Sequence, residues 1–462
     1  MPHSEGIVSI NPADGSVVWQ GPAAGNKDIA TSVSLARRVF PEWAARPLND
    51  RIHALRQFSK VLEVRKEGLA GLIAREVGKT LPEARAEVAS MIGKIEISIR
   101  SHAERCAELP AGKAYTRFKP HGAVAVLGPY NFPGHLPNGH ICPALLAGNA
   151  VVFKPSELAP AVAEATLACW KEAGLPKGVL QVLQGGAETA RALVRNPELD
   201  GVFFTGSAAT GKLLARQFAD TPGKILALEM GGNNPLIVDT GNIGNLDAAA
   251  EITIQSAFIT TGQRCTCARR LLVIEAPKVH GFIDRLIGRA KALRIDDPFA
   301  DPPPFMGPLA SPDFVEKILS AQETLLQLGA TPLLPAEGMR QGTGFISPGI
   351  LEVSGLSNPP DEEIFGPLLQ VIRVPDLDSA IDRANDTRYG LAAGLLSDER
   401  SRYDHAWPRL RAGIINWNTP LTGASSAAPF GGIKDSGNLR PSAWFAADYC
   451  AYPVASIEEP KV

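Results

Sequence analysis

Between His121 and Leu228 the chain alternates short apolar runs with helix-compatible stretches, and this alternation restricts the architecture more than any other feature. The apolar runs cover residues 123–127, 150–153, 179–183, 201–204 and 224–228, and the helical stretches between them cover 137–147, 161–173, 188–194 and 210–218. Strands joined by helical crossovers run parallel, with helices on both faces, so the pattern predicts a doubly wound α/β sheet. Such a sheet binds ligands beyond the carboxyl ends of its strands. Polar and glycine-rich residues fall at those ends. Pro129-Tyr130-Asn131 follows the first strand, Lys154-Pro155-Ser156-Glu157 the second, Thr205-Gly206-Ser207 the fourth and Glu229-Met230-Gly231-Gly232 the fifth. Four such groups at one edge predict a cleft.

The flanking regions are read more coarsely. Residues 7–10 and 17–19 predict two short strands around a turn, and residues 27–106 are mainly helical. Met91, Ile92, Ile95 and Ile99 recur at helical spacing and read as a core stripe. After Asn234 a second α/β segment holds a helix over 246–259, a strand over 271–274, helices near 279–293 and 312–328, and a strand over 368–374. Residues 449–456 read as an edge strand.

A chain of 462 residues exceeds one compact core and predicts about three domains. A formal net charge of −2 leaves no broad basic face for nucleic acid or anionic membrane. No apolar run reaches membrane-spanning length, and Met1-Pro2-His3-Ser4-Glu5 is not a signal-peptide start. The six cysteines are too dispersed for a disulfide framework, and no cysteine or histidine set completes a zinc site. A reducing, cytoplasmic setting is expected, with no metal.

Cys265 lies where a helix runs out through Thr260-Thr261-Gly262 and turns into a strand. A thiol on such a turn is held rigidly yet open to solvent. Arg264 beside it predicts a cation favouring the thiolate, the nucleophilic form. The alternative is a small buried hydrophobe. Glu229, at a strand end crowded by Gly231-Gly232, is a candidate general base with a raised pKa. Asn131 offers an amide N–H to an oxyanion. Lys154 and Glu157 share one turn and can hold ribose hydroxyls, and the carboxylate disfavours a 2′-phosphate, which argues for NAD over NADP. Gly206 to Lys212 nearly spells a P-loop, but Leu213 stands where a magnesium-binding hydroxyl is needed. Gly206, Ser207 and Gly211 instead suit a turn feeding a helix whose N-terminus faces a pyrophosphate.

Seven ordered motifs together resemble the aldehyde dehydrogenase superfamily over nearly the whole chain. They are Pro129-Tyr130-Asn131-Phe132-Pro133, Phe153-Lys154-Pro155-Ser156-Glu157, Phe204-Thr205-Gly206-Ser207, Leu228-Glu229-Met230-Gly231-Gly232, Gly262-Gln263-Arg264-Cys265, Glu363-Ile364-Phe365-Gly366-Pro367 and Pro429-Phe430-Gly431-Gly432. The resemblance implies an NAD-binding domain (1–103 and 121–231), an α/β catalytic domain (232–446) and a small oligomerisation β-element (104–120 and 447–462). It implies oxidation of an aldehyde to an acid through a thioester, with Cys265 as nucleophile, Glu229 as general base and Asn131 as oxyanion donor. Tyr130, Lys154, Glu157, Gly206, Ser207, Gly211, Glu363 and Phe365 would hold NAD. Gly134-His135-Leu136-Pro137-Asn138-Gly139-His140, Arg264-Cys265-Thr266-Cys267-Ala268-Arg269-Arg270, Asn416-Trp417-Asn418 and Arg440-Pro441-Ser442-Ala443-Trp444 resemble a branch whose substrate is a small acidic semialdehyde bearing two carboxylates. Arg264, His140, Lys434 and Arg440 are the candidate cations for them. Homodimers or homotetramers are implied. Asn438-Leu439-Arg440-Pro441 departs from the commoner Gly-Arg-Glu and leaves the oligomer edge open. Two rivals stand beside this reading: a cofactor-free cysteine hydrolase, for which no histidine shows a nucleophile–base pattern, and a scaffold that kept the fold without the chemistry.

Overall fold

The computed structural model describes residues 6–459 and 461. Residues 1–5, 460 and 462, which the expected domain ranges include, lie outside the described residues.

Five parallel strands form the first sheet, in the order Leu180–Val182, Ala150–Lys154, Ala123–Leu127, Gly201–Gly206, Ile225–Met230. The three central runs are buried on both faces, as parallel strands under helices must be, while the two edge strands are partly exposed. Val124, Val126, Val151 and Phe153 enter one core with Leu55, Phe58 and Ile95, while Ala125, Leu127, Val152 and Phe204 enter another with Val33 and Leu214. The helices Asn26–Ala45, Leu48–Val77 and Leu81–Arg105 supply much of this cover. Met91, Ile95 and Ile99 are buried in that core, whereas Ile92 packs at its margin.

A second sheet has seven strands, in the order Thr331–Leu334, Gly349–Glu352, Leu368–Val374, Ala268–Ile274, Asn234–Val238, Ala392–Leu396, Ile414–Trp417. Only its first pair is antiparallel. The sequence reading finds Leu368–Val374 and most of Ala268–Ile274 but not the others. Ala392-Ala393-Gly394-Leu395-Leu396 lacks the β-branched residues that mark a strand, and its extended form comes from burial between neighbours.

Leu109–Ala111, Ala114–Pro120 and Ala451–Ile457 form a third, antiparallel sheet. Its terminal strand begins later than the sequence suggests. Tyr449 and Cys450 belong instead to a short helix, Ala446–Cys450, where the Tyr449 ring is buried edge-on against Phe203 at 4.8 Å between centroids. Among the described residues no helix is long and apolar enough to cross a membrane.

Candidate active site

In the first sheet the chain order reverses between Ala123–Leu127 and Gly201–Gly206, so the loops leaving them diverge and leave a crevice at their carboxyl ends. A cleft of about 220 Å³ sits there, lined by Tyr130, Asn131, Ser207, Glu229, Cys265 and Glu363. Gly206 and Phe365 also face it. Residues far apart in the chain are thus brought to one space, across both large sheets.

The turn that presents Cys265 is strained. After the helix Leu246–Phe258, Thr260, Thr261 and Gly262 take φ values of 55°, 53° and 71°. Left-handed backbone is rare for a β-branched residue and costs about 1–3 kcal/mol per position. Side chains hold it in place. The Thr260 hydroxyl donates to Glu83 Oε1 at 2.5 Å and accepts from Arg264 Nε at 2.8 Å, while Thr261 donates to the Gly307 carbonyl at 2.8 Å. Gly262 has a further constraint: a Cβ there would lie 2.3 Å from the Gly366 carbonyl oxygen. The cysteine loop therefore packs backbone to backbone on the Glu363–Gly366 loop.

Two asparagines lock the surroundings of Cys265. Asn234 Nδ2 donates to the carbonyls of Cys265 (2.6 Å) and Cys267 (2.9 Å), and its Oδ1 accepts from Ala392 N–H at 3.0 Å. Asn131, 7% exposed, donates one amide hydrogen to the Gln263 carbonyl at 2.8 Å. Its second hydrogen has no protein acceptor among the described residues. The sequence reading missed Asn234; its place at a strand start following Gly231-Gly232 was the available signal.

The electrostatics favour protonated groups. Burial pushes Glu229 up to about 8, and the negative charge of Glu363 adds to the rise while the Cys265 thiol opposes it. Glu229 is 1% exposed and its Oε1 lacks a partner. Glu363 is raised to about 7 by burial, opposed by Arg269 and the Gly232 N–H. The Cys265 thiol is pushed well up by burial and by the neighbouring carboxylates. Glu363 and Cys265 are partly exposed, and both line the cleft. Arg264 does not act as expected. Its guanidinium is spent on Thr260, on Glu83 at 3.4 Å and on the Phe132 ring at 5.2 Å. Arg269, fully buried and stacked 5.3 Å from the Phe365 ring centroid, is the arginine that opposes the rise at Cys265.

Around the crevice, buried Lys154 pairs with Glu157 at 3.3 Å on the adjacent strand end. Ser207 caps the helix Ala208–Phe218, its Oγ accepting from Thr210 N–H at 3.3 Å. Gly211 does not face the cleft: a Cβ there would lie 2.1 Å from Met230 Sδ, so glycine serves close helix–strand packing. Gly231 makes room for Glu363, whose Oε2 would lie 1.8 Å from an added Cβ and whose Oε1 accepts from Gly232 N–H at 3.1 Å.

None of the four candidate substrate cations lines the cleft. His140 is buried between Tyr449 Oη (2.7 Å) and Thr205 Oγ1 (2.9 Å), and burial lowers its pKa to about 3, so it is neutral. Lys434 donates to the carbonyls of Asn385 and Thr387 at 2.9 and 3.0 Å. Arg440 donates to the Gly432 carbonyl at 2.6 Å. Lys434 and Arg440 are thus spent on backbone carbonyls of neighbouring loops.

Comparison with known proteins agrees with this geometry. The profile of the aldehyde dehydrogenase family matches residues 1–452. The chain is 54% identical over 458 residues to N-succinylglutamate 5-semialdehyde dehydrogenase of Chromobacterium violaceum, covering 98% of this chain and 94% of that one. A Thermus 1-pyrroline-5-carboxylate dehydrogenase with bound NAD superposes with a TM-score of 0.91 at 31% identity, covering 98% of this chain and 90% of that one. A glyceraldehyde-3-phosphate dehydrogenase from Methanocaldococcus jannaschii complexed with NADP gives 0.90 at 28% identity, covering 99% and 100%. With its motifs in order, its sheets superposable and its match nearly end to end, this chain belongs to the aldehyde dehydrogenase family.

Proposed function

We propose that the protein is a hydrolytic, NAD-dependent dehydrogenase of N-succinylglutamate 5-semialdehyde. The observation that carries this reading is the meeting of Asn131, Glu229 and Cys265 in one cleft, in a chain 54% identical to the Chromobacterium violaceum enzyme. We assign cofactor binding to 1–103 and 121–231, catalysis to 232–446, and subunit pairing to 104–120 with 447–462.

The crevice suits a dinucleotide. Ser207 stands at a helix N-terminus where backbone N–H groups await a pyrophosphate. Lys154 and Glu157 suit an adenosine ribose, and the Glu157 carboxylate disfavours a 2′-phosphate. Glu363 and Phe365 suit the nicotinamide ribose at the inner end. Bound there, the cofactor supplies a hydride acceptor.

The chain's own residues do the remaining work. Glu229, or water beside it, takes the Cys265 proton, and the sulfur adds to the aldehyde carbon. The free Asn131 N–H and the Cys265 backbone N–H hold the oxyanion. Loss of hydride leaves a thioester on Cys265. Glu229 then deprotonates the water that hydrolyses it, regenerating the thiol and releasing the acid. A general base at this point favours a free acid over transfer to coenzyme A.

The third sheet suits a homodimer or homotetramer. Ala451–Ile457 is an edge strand with unpaired backbone on one side and Ile457 exposed, so a second copy's strand can extend it. Six free thiols suit a reducing compartment.

The test follows NADH absorbance with NAD and, in parallel, N-succinylglutamate, succinate and glutamate semialdehydes. A highest kcat/KM for the succinylated substrate, without need for coenzyme A, is expected. Preference for either smaller semialdehyde, or obligatory coenzyme A, refutes the assignment. Cofactor-free turnover would favour the hydrolase.

A further inference from the structure

Lys94 is a buried cation without a partner. It lies in the helix Leu81–Arg105, 2% exposed, and among the described residues its ammonium makes no ion pair or hydrogen bond. Lysine is almost never buried unless paired. Burial lowers it to about 8, and the surrounding groups do not compensate: His135 and His140 are close enough to feel its charge, and only the Cys142 thiol opposes the shift.

Two further observations mark the same spot. A Cβ on Gly139 would lie 3.6 Å from Lys94 Nζ and 3.0 Å from Ser442 Oγ, so ammonium and hydroxyl both lie against the bare backbone of the glycine, and a methyl there would crowd them. Ser442 is 4% exposed, and its hydroxyl makes no hydrogen bond among the described residues. His135 Nδ1 is likewise buried and unpartnered. Gly139 stands one helical turn, about 4.5 Å of rise, beyond Leu136, which lines the catalytic cleft.

We propose that Lys94, Ser442 and His135 form an anion subsite holding a carboxylate of the substrate remote from the aldehyde carbon. This rests on the substrate class proposed above. Lys94 supplies the charge, Ser442 a hydroxyl donor, and His135 an N–H in its Nδ1–H tautomer. The four cations expected from sequence are engaged elsewhere, and Lys94 takes their place.

Kinetics of the full-length enzyme with NAD, on N-succinylglutamate 5-semialdehyde and on neutral pentanal, test the subsite. Lys94→Met is expected to lower the diacid-to-pentanal ratio of kcat/KM by roughly 10- to 100-fold, the loss of a hydrogen-bonded charge. The change should fall on KM, and the thermal midpoint should hold or rise because an unpaired buried charge is gone. A merely structural lysine would lower the midpoint and leave the ratio alone. Gly139→Ala is the second variant. Alanine favours helix, so folding is retained, while its methyl crowds ammonium and hydroxyl and lowers the same ratio. An unchanged ratio in either folded variant overturns the subsite. A wild-type enzyme that prefers pentanal overturns the substrate reading instead. N-succinylglutamate then serves as an inhibitor of pentanal oxidation, and equal potency against wild type and Lys94→Met overturns the subsite independently.

Discussion

Glu229 makes the most exacting prediction, because one carboxyl must be protonated at rest and ionised to hydrolyse the thioester. Its midpoint is about 8, set by burial and by the Glu363 charge. A base with that midpoint is about one-tenth ionised at pH 7 and about nine-tenths at pH 9, so deacylation should accelerate about tenfold across that interval. Stopped-flow NADH formation separates the steps: the burst reports acylation by Cys265, and the steady state reports hydrolysis if hydrolysis limits. Glu363→Gln removes a like charge and should move the steady-state midpoint acidward. Glu229→Gln should keep a burst but lose the pH-dependent arm. The stability consequence has the opposite sense. A folded pKa raised from 4.5 to about 8 favours the folded state below 4.5, and that contribution fades as pH rises through 8. Relative to wild type, Glu229→Gln should therefore gain stability at pH 9 over pH 5, by at most about 5 kcal/mol. A steady-state rate flat from pH 6.5 to 9, or a Glu229→Gln enzyme with the wild-type slope, would refute the reasoning.

Three other perturbations probe the surrounding architecture. Asn131→Ala removes the proposed oxyanion donor; such a donor is worth about 3 kcal/mol, and kcat should fall about a hundredfold or more while some activity stays measurable. Asn234→Ala cuts three hydrogen bonds around the cysteine loop; a loss of about 2–4 kcal/mol in chemical denaturation is expected, with slower acylation in the same burst assay. Gly231→Ala places a methyl where the Glu363 carboxylate lies, so NAD titration should show binding weakened at least tenfold, and wild-type affinity would remove Glu363 from the cofactor site.

The doubly wound sheet and the edge where its ligands gather were written locally. Five apolar strands alternating with helices permit little else, and Asn131, Ser207 and Glu229 occupy the short loops or strand ends at that edge. Cys265 was legible for the same reason, as the first reactive group after a helix breaks. The partners of each charge were not. Arg264 adjoins the thiol in sequence yet turns to Glu83 in another segment, and His140, Lys434 and Arg440 are taken up by groups on distant elements or neighbouring turns. The unpaired state of Lys94 emerges only when two helices and the Ser442–Ala443 strand converge. Backbone periodicity is a property of neighbours along the chain, whereas the environment of a charge depends on which remote groups packing brings within a few ångströms. Even the left-handed Thr260 and Thr261 are extracted by tertiary contacts, since nothing in two adjacent threonines asks for that backbone.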